Sequence, residues 1–164
     1  MGESILIIAC GNSLRCDDGA GLVLAEKLAL ALERDGHEVR LMCVHQLAPE
    51  LAFDMAKEDV ATVLFVDTAI AALEGEPRLR LQPLPTTSAQ LASTQSALAH
   101  HLTPQALLLY AGALYGRVPP ALLVTIPGRN FEHGTAFSPT VQVALQQTES
   151  MVRQLVPHLP CRST

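Results

Sequence analysis

Three carboxylates and one imidazole are the side chains in this sequence whose types and positions best suit chemistry. Asp17 and Asp18 are adjacent and follow an apolar run that ends in a Gly-Asn turn. Asp67 follows another apolar run, and His101 precedes a predicted helix. Two carboxylates and one imidazole form an O,O,N donor set, which suits a borderline divalent metal such as nickel, zinc or cobalt and leaves coordination positions open. The sequence therefore predicts a metal site built from two of these carboxylates and the imidazole.

The elements that must position these residues alternate between apolar runs and amphipathic segments. Continuous apolar runs are typical of strands that are covered on both faces of a parallel sheet. The alternation of strands and helices predicts an α/β fold, with a twisted, mostly parallel sheet of about five strands and helices on both faces. The predicted strands are residues 4–10, 39–44, 61–66 and 121–126, with an edge strand at 78–81, and the predicted helices are residues 19–34, 49–55, 104–115 and 139–155.

The predicted topology brings the candidate residues to one edge of the sheet. In an open α/β sheet, ligands bind beyond the carboxyl ends of the parallel strands. The first strand delivers Asp17 and Asp18 to that edge, and the third strand delivers Asp67. The loop that precedes the helix at 104–115 brings His101 or its neighbour His100. Convergence of three separate loops favours a functional site over isolated turn residues.

Each of these residues also has a purely structural interpretation. Asp17 or Asp18 is also suited to be the N-cap of the helix at 19–34, and an Asp that ends a buried strand is often a turn former. A lone loop histidine such as His101 is more often on the surface than bound to a ligand. Asn12 either donates a hydrogen bond or forms a turn with left-handed backbone.

The cysteines and the remaining histidines give weaker signals. Cys10 and Cys43 lie inside apolar runs and are predicted to be reduced core thiols. His37 lies in a polar turn and is predicted to be solvated. His45 and His133 lie in loops at the predicted site edge, where each could approach a substrate or remain on the surface.

Composition limits the classes of partner. The chain has 164 residues, which predicts one domain over 1–164 with a flexible tail at 157–164. The formal net charge is −5 and there is no cluster of Lys and Arg, so neither nucleic acid nor an anionic membrane is the expected partner. No signal peptide and no apolar run of membrane-spanning length is visible, so the expected location is the cytoplasm.

Four segments, in this order and spacing, carry a resemblance to a known family: G-N-S-L-R-C-D-D-G-A-G, V-L-F-V-D-T-A, H-H-L-T-P-Q-A-L-L and F-E-H-G-T-A-F-S-P-T-V. Together they resemble the [NiFe]-hydrogenase maturation endopeptidases over nearly the whole chain. The resemblance implies that Asp18, Asp67 and His101 bind metal and that Asp17, Asp18 and Asp67 are the catalytic candidates. Most members have Glu where this chain has the shorter Asp18.

The resemblance also implies the reaction and its partner. The expected partner is the nickel-loaded precursor of the [NiFe]-hydrogenase large subunit, from which the enzyme, a monomer, removes a C-terminal extension. In one mechanism nickel only positions the bond and a carboxylate activates water; in the other the metal also polarises the carbonyl. No Ser-His-Asp order and no H-E-x-x-H motif is present, so serine-type and zincin-type proteases are disfavoured.

Two other functions fit the acidic residues. A phosphoacceptor receiver domain with a magnesium pocket also has an acidic pair after its first strand and an Asp after its third. It would need a Lys after a late strand, but Pro127-Gly128-Arg129 follows the strand at 121–126. A nickel-binding protein without proteolytic activity would use the same ligands.

Overall fold

A single five-stranded sheet organises the molecule. The computed structural model describes residues 3–73, 75–87 and 102–161. The strands are β1 (Ser4–Cys10), β2 (Glu38–Val44), β3 (Val60–Ile70), β4 (Arg80–Pro83) and β5 (Ala121–Gly128). The helices are α1 (Ala20–Arg34), α2 (Leu51–Met55), α3 (Pro104–Tyr115), α4 (Pro139–Leu145) and α5 (Thr148–Leu155), with short 3₁₀ helices at Cys16–Gly19 and Val156–His158.

The sheet is mostly parallel, as the sequence predicts. Its strand order is β2-β1-β3-β5-β4. The pairs β1–β2, β1–β3 and β3–β5 are parallel, and β4 is an edge strand that runs antiparallel to β5. The carboxyl ends of β1, β3 and β5 therefore lie side by side at one edge of the sheet, and this edge is where a ligand site is expected.

Side chains of the central strands supply both faces of the sheet with a core. In β1, Ile5 and Ile7 pack into the core beneath α1, α4 and α5, whereas Leu6 and Ile8 pack into the core beneath α2 and α3. Successive side chains of a strand point to opposite faces, so a continuous apolar run fills both cores at once. This confirms the prediction of an α/β sheet with helices on both faces.

The predicted ends of three helices are confirmed. Thr103 caps α3, with its Oγ1 accepting a hydrogen bond from the Ala106 N–H at 3.2 Å. Ser138 caps α4 through the Val141 N–H at 3.4 Å. Gly36 follows α1 with a φ of +89°, a left-handed conformation that favours glycine.

The predicted N-cap of α1 is wrong. The cap position is Gly19, and neither Asp17 nor Asp18 accepts a capping hydrogen bond. Instead, the Gly21 N–H at the start of α1 donates to Thr68 Oγ1 of β3 at 3.1 Å. A long-range partner thus satisfies a helix N-terminal donor, and both aspartates are left for other contacts.

Several predicted boundaries differ from the structure: the edge strand predicted at 78–81 is Arg80–Pro83, the helix predicted at 49–55 is Leu51–Met55, and two larger differences concern the third strand and the last helix. The third strand does not end before Asp67 but continues to Ile70, because β5 pairs with it as far as Gly128. The last helix is not continuous but is divided into α4 and α5. Gln147, at the break, uses its side chain to accept from the Leu79 N–H at 3.0 Å and to donate to the Pro77 carbonyl at 2.6 Å. The break therefore ties these helices to the chain that leads into β4.

Part of the predicted tail is ordered against the core. Residues Val156–His158 form a 3₁₀ helix, and Leu159 packs against the core beneath α5. Among the described helices, none has the length and apolar character needed to cross a membrane.

Candidate active site

Asp18 is held at the carboxyl end of β1 by the turn that follows the strand. The Asn12 N–H donates to Asp18 Oδ2 at 2.9 Å, and Asn12 Oδ1 accepts from the Leu14 N–H at 2.9 Å. Gly11 is required here because a Cβ at this position would collide with the Asp18 carbonyl. Asn12 is a turn residue as predicted, but its φ is not positive, since Cys16 is the one described non-glycine residue with positive φ.

Asp67 lies on β3, next to the start of α1. The Thr68 N–H donates to Asp67 Oδ1 at 2.8 Å and so fixes the orientation of the carboxylate. Gly21 lets the first turn of α1 approach closely, because a Cβ there would lie 3.2 Å from the Asp67 Cα. The same helix start therefore packs against Asp67 and follows Asp18 in the chain, which couples the positions of the two carboxylates.

The charges of Asp18 and Asp67 act on each other. The pKa of Asp67 is raised to about 6 as the net result of burial, which raises it most, the hydrogen bond from the Thr68 N–H, which lowers it, and the negative charge of Asp18, which raises it. The Asp67 side chain still reaches solvent, so the shift reflects partial loss of water and not full enclosure. Repulsion between two neighbouring carboxylates is the pattern that a bound cation, or a shared proton, would relieve.

Cys10 is the third titratable group near this pair. Burial, followed by the negative charges of Asp67 and Asp18, raises the pKa of its thiol to about 11. Its Sγ donates to the His45 carbonyl at 3.5 Å. The thiol is therefore neutral at physiological pH, which makes it a poor metal ligand and a poor nucleophile in this environment.

Two of the three predicted metal ligands, Asp18 and Asp67, lie within the part of the chain that the structure describes. Asp18 Oδ1 and Asp67 Oδ2 accept no hydrogen bond from the described residues, so one oxygen of each carboxylate remains for a ligand. Within the described ranges, no group of three or more His, Cys, Asp and Glu residues is arranged to hold an ion. His101 and His100 lie outside the described residues, so the imidazole of the set remains a prediction.

Asp17 occupies a different environment from Asp18. It is fully buried, and its Oδ2 accepts from the Arg129 N–H at 2.7 Å, the Asn130 N–H at 3.0 Å and Ser138 Oγ at 2.6 Å. Its Oδ1 accepts from the Ser138 N–H at 2.8 Å. Burial alone would raise the pKa of Asp17, but the hydrogen bonds from Asn130, Ser138 and Arg129 outweigh it and hold the pKa below its usual value. Such a carboxylate is ionised and saturated with donors, which favours a structural role in anchoring the loop after β5 over the predicted role in catalysis.

The loop after β5 meets the loop after β1 through main-chain contacts. The Cys16 N–H donates to the Gly134 carbonyl at 2.8 Å, and the Gly134 N–H donates to the Leu14 carbonyl at 2.9 Å. Cys16 has a φ of +44°, an uncommon conformation for a residue with a side chain, and its thiol is buried. The contact between these two loops thus fixes the backbone that leads into the two aspartates.

The sequence missed the part played by Asn130 and Ser138 in this site. Ser138 carries a helix-cap signal and is also one of the partners of Asp17. No sequence pattern near either residue indicates that Ser138 contacts Asp17, because the two residues are 121 positions apart in the chain. Only knowledge of the strand order could have placed them together.

The exposure of the remaining candidates leaves the interpretations of His45 and His133 open and shows that two other predictions are wrong. His45 and His133 are exposed, which both of their open interpretations allow. His37 is buried and not solvated, and Cys43 is exposed and not a core thiol. Cys43 is exposed because β2 is an edge strand.

Comparison with known proteins gives a match in structure and none in sequence. No protein-family model and no curated protein sequence matches the chain. The structure is similar to that of the hydrogenase maturating endopeptidase HybD from E. coli, with a TM-score of 0.61 and 19% identity over 94% of this chain and 93% of that one. It is also similar to the [NiFe] hydrogenase maturation protease HybD from Thermococcus kodakarensis (TM-score 0.60, 18% identity, 93% and 98% covered). A third similar structure is the hydrogenase 2 maturation peptidase from Thaumarchaeota archaeon SCGC_AB-539-E09 (TM-score 0.54, 21% identity, 94% and 97% covered). The chain therefore has the fold that these maturation proteases share, over nearly its full length.

Proposed function

We propose that this chain is an endopeptidase that removes the C-terminal extension from the nickel-loaded precursor of a [NiFe]-hydrogenase large subunit. The observation that carries the proposal is the pair Asp18, in the turn after β1, and Asp67, on β3: the charge of Asp18 acts on Asp67, and one oxygen of each carboxylate accepts no hydrogen bond from the described residues. The shared fold of the maturation proteases supports the same function. We further propose that the protein acts in the cytoplasm as a monomer, without nucleic acid or membrane as a partner.

The geometry suggests how the carboxylates recognise the precursor. Nickel is part of the substrate in this scheme, since it belongs to the precursor. Asp18 and Asp67 supply two oxygen ligands, and His101 is proposed to supply the third ligand. Mutual repulsion makes the empty pair unfavourable, so a cation brought by the precursor gains binding energy from relieving it. A precursor without nickel lacks this gain, and the site thereby tests whether the metal has been inserted.

The chemical step requires a base for water. Asp67 has a pKa of about 6, which places its carboxylate close to the range in which it can accept a proton near neutral pH. Asp18, fixed by the Asn12 N–H, is the second candidate base. Asp17 would then hold the loop after β5 against the site and take no proton. A metal in the site would, when bound, supply polarisation of the scissile carbonyl.

The two alternative functions differ from this proposal in testable ways. A receiver domain belongs to the doubly wound class with strand order 2-1-3-4-5 and an all-parallel sheet, whereas here the edge strand β4 is antiparallel. A nickel-binding protein without proteolytic activity would use the same metal ligands, so only the processing assay distinguishes it from the proposed peptidase.

The test is a processing assay followed by intact-mass measurement. The precursor of the large subunit from the same organism is incubated, with and without nickel, with the wild type and with the variants Asp18→Asn, Asp67→Asn and His101→Ala. Asp54→Asn is the matched control, since Asp54 lies on α2 in an ion pair with Lys57. We expect cleavage of the nickel-loaded precursor by the wild type and the control only. Binding of the nickel-loaded precursor with no loss of mass would instead support the non-proteolytic alternative.

A further inference from the structure

A cavity of about 560 Å³ lies beside the carboxylate site, on the far side of the β3 end. Its walls are the end of β3 with the residues that follow it, the chain that leads into β4, the end of β5 and the start of α4. Ile70, Arg78, Arg80, Arg129 and Thr140 are among the lining residues. The proposed peptidase mechanism uses none of these side chains.

The charge of the lining is positive. Arg78, Arg80 and Arg129 face one acidic residue among the described lining, Glu76. The Arg78–Glu76 pair is 3.7 Å long and both side chains are mostly exposed, so it neutralises little charge in water. Arg80 forms no ion pair with any residue in the described ranges.

Arg129 is held in place without being neutralised. Its Nε donates to Thr140 Oγ1 at 3.1 Å, and its Nη2 donates to the Ala72 carbonyl at 2.9 Å. Both acceptors are uncharged, so the guanidinium keeps its full positive charge while its orientation is fixed. Such a group is prepared to bind a carboxylate with two parallel hydrogen bonds.

The cavity is connected to the catalytic carboxylates by rigid structure. β3 continues from Asp67 to Ile70, so three extended residues, or about 10 Å of strand, separate Asp67 from Ile70 in the cavity lining. The backbone of Arg129 is itself bound by Asp17, which precedes Asp18. A peptide lying along the rim could therefore reach the carboxylates and the cavity at the same time.

The rim of the cavity offers apolar contacts to a peptide. β4 pairs with β5 only from Pro83 opposite Leu122 to Arg80 opposite Thr125, whereas β5 continues to Gly128. Ile70, which lines the cavity, and Leu73, in the loop that follows β3, are 85% and 92% exposed, respectively. Exposed apolar side chains beside a cavity are typical of a surface that receives a partner.

We propose that this cavity binds an acidic peptide segment, with an Asp or Glu carboxylate against Arg80 and Arg129 and apolar neighbours against Ile70 and Leu73. This inference rests on the proposed function: the bound segment is the part of the precursor that lies about three residues from the bond to be cut. Charge complementarity selects this occupant, since three arginines against one glutamate in the described lining favour an anionic ligand. The cavity thus acts as a specificity subsite of the peptidase.

The test measures binding and not cleavage. Two fluorescein-labelled octapeptides, identical except for two central Glu or two central Gln residues flanked by Leu, are titrated with the protein while anisotropy is recorded. The wild type is expected to bind the Glu peptide about tenfold more tightly than the Gln peptide, since a hydrogen bond to a charged partner is worth about 1.5 kcal/mol or more. Arg80→Glu is expected to abolish this preference. Equal binding of both peptides by the wild type would overturn the proposal.

Two further variants test whether the loss of preference for the Glu peptide comes from this cavity. Arg153→Glu makes the same change in net charge on α5, away from the cavity lining, and is expected to keep the tenfold preference. If Arg80→Glu fails to fold, judged by circular dichroism, Arg80→Gln serves in its place with the same expected loss of preference. A loss of equal size in Arg153→Glu would contradict a specific site.

The outcome separates this inference from the proposed function. If the Glu peptide is preferred but the nickel-loaded precursor is never cut, the subsite stands and the peptidase proposal fails. If the precursor is cut and neither peptide is preferred, the peptidase proposal stands and the subsite fails.

Discussion

Replacing Asp17 by asparagine tests whether this buried carboxylate anchors the loop after β5. Three donors converge on its Oδ2, from Arg129, Asn130 and Ser138 Oγ, and the Ser138 N–H reaches its Oδ1. An amide keeps one acceptor oxygen, but its NH₂ group would face one of these donors at the second position. The substitution therefore removes the negative charge and leaves at least one buried N–H without an acceptor.

The expected cost follows from the strength of those bonds. A hydrogen bond to a charged acceptor contributes about 1.5–3 kcal/mol, and a buried donor left unpaired costs about 1–3 kcal/mol. Because the four bonds share one carboxylate, their losses do not add, and we expect Asp17→Asn to lower the free energy of unfolding by about 3 kcal/mol. With a urea m-value of about 2 kcal/mol/M, the midpoint should fall by about 1.5 M.

The assay is equilibrium urea unfolding of the wild type, Asp17→Asn and the control Asp54→Asn. The control removes an ion pair on α2 between partly exposed side chains, with an expected cost below about 1 kcal/mol. Since hydrogen bonds lower the pKa of Asp17 in the folded state, its contribution is complete above the unfolded pKa of about 3.9 and is lost as the pH falls through the folded pKa. The gap between the wild type and Asp17→Asn should therefore narrow below about pH 4.

Two results would refute this account of Asp17. A cost no larger than that of Asp54→Asn would show that the four hydrogen bonds do not anchor the loop. A variant that is as stable as the wild type but inactive in processing would instead assign Asp17 to the chemistry.

Three more predictions concern the pair of carboxylates. Since the pKa of Asp67 is raised to about 6 in the folded state, its ionisation costs stability as the pH rises from about 4 to about 6. The melting temperature of Asp67→Asn should therefore exceed that of the wild type at pH 7.5 and equal it near pH 4. A lower melting temperature of Asp67→Asn at pH 7.5 would contradict this. In ¹³C NMR the Asp67 carboxyl should titrate near pH 6 and at lower pH in Asp18→Asn, whereas an unchanged midpoint would mean that the two charges do not interact. Gly21→Ala should reduce processing at least tenfold while the protein remains folded, because its Cβ would press on the Asp67 backbone at 3.2 Å; full activity in the processing assay would show that this close approach is not needed.

Much of the fold could be predicted because local patterns determine it. The apolar run at Ser4–Cys10 fills both cores, so it could only be a central strand. The Thr-Pro and Ser-Pro pairs before α3 and α4 mark both helix starts, because they combine a capping side chain with a ring that fits the first turn.

The errors arise where long-range contacts override local patterns. Asp67 was predicted to end its strand, but pairing with β5 extends β3 beyond it. Asp17 or Asp18 was considered as the N-cap of α1, but Thr68 from β3 meets the helix start instead. Cys43 was predicted to be buried because its run is apolar, but the order of strands puts β2 at an edge. None of these partners is visible from the residues next to each position.

The candidate site also has a part that the sequence predicted and a part that it could not predict. The sequence located Asp18 and Asp67 at one edge of the sheet, because the ends of parallel strands converge. It could not separate the role of Asp17 from that of Asp18, since the two are adjacent and chemically identical. Their difference comes from Ser138 and Asn130, which reach Asp17 through the strand order and leave Asp18 at the rim.

The measurement that tests the central claim most directly is a crystal structure of the protein grown with Zn²⁺, with the ion located by anomalous scattering. The account predicts one ion bound by carboxylate oxygens of Asp18 and Asp67 and by an imidazole nitrogen of His101, each at about 2.0–2.2 Å. An ion bound elsewhere, or an ion at this edge with His101 too far away to be a ligand, would contradict the claim that these three side chains form one metal site.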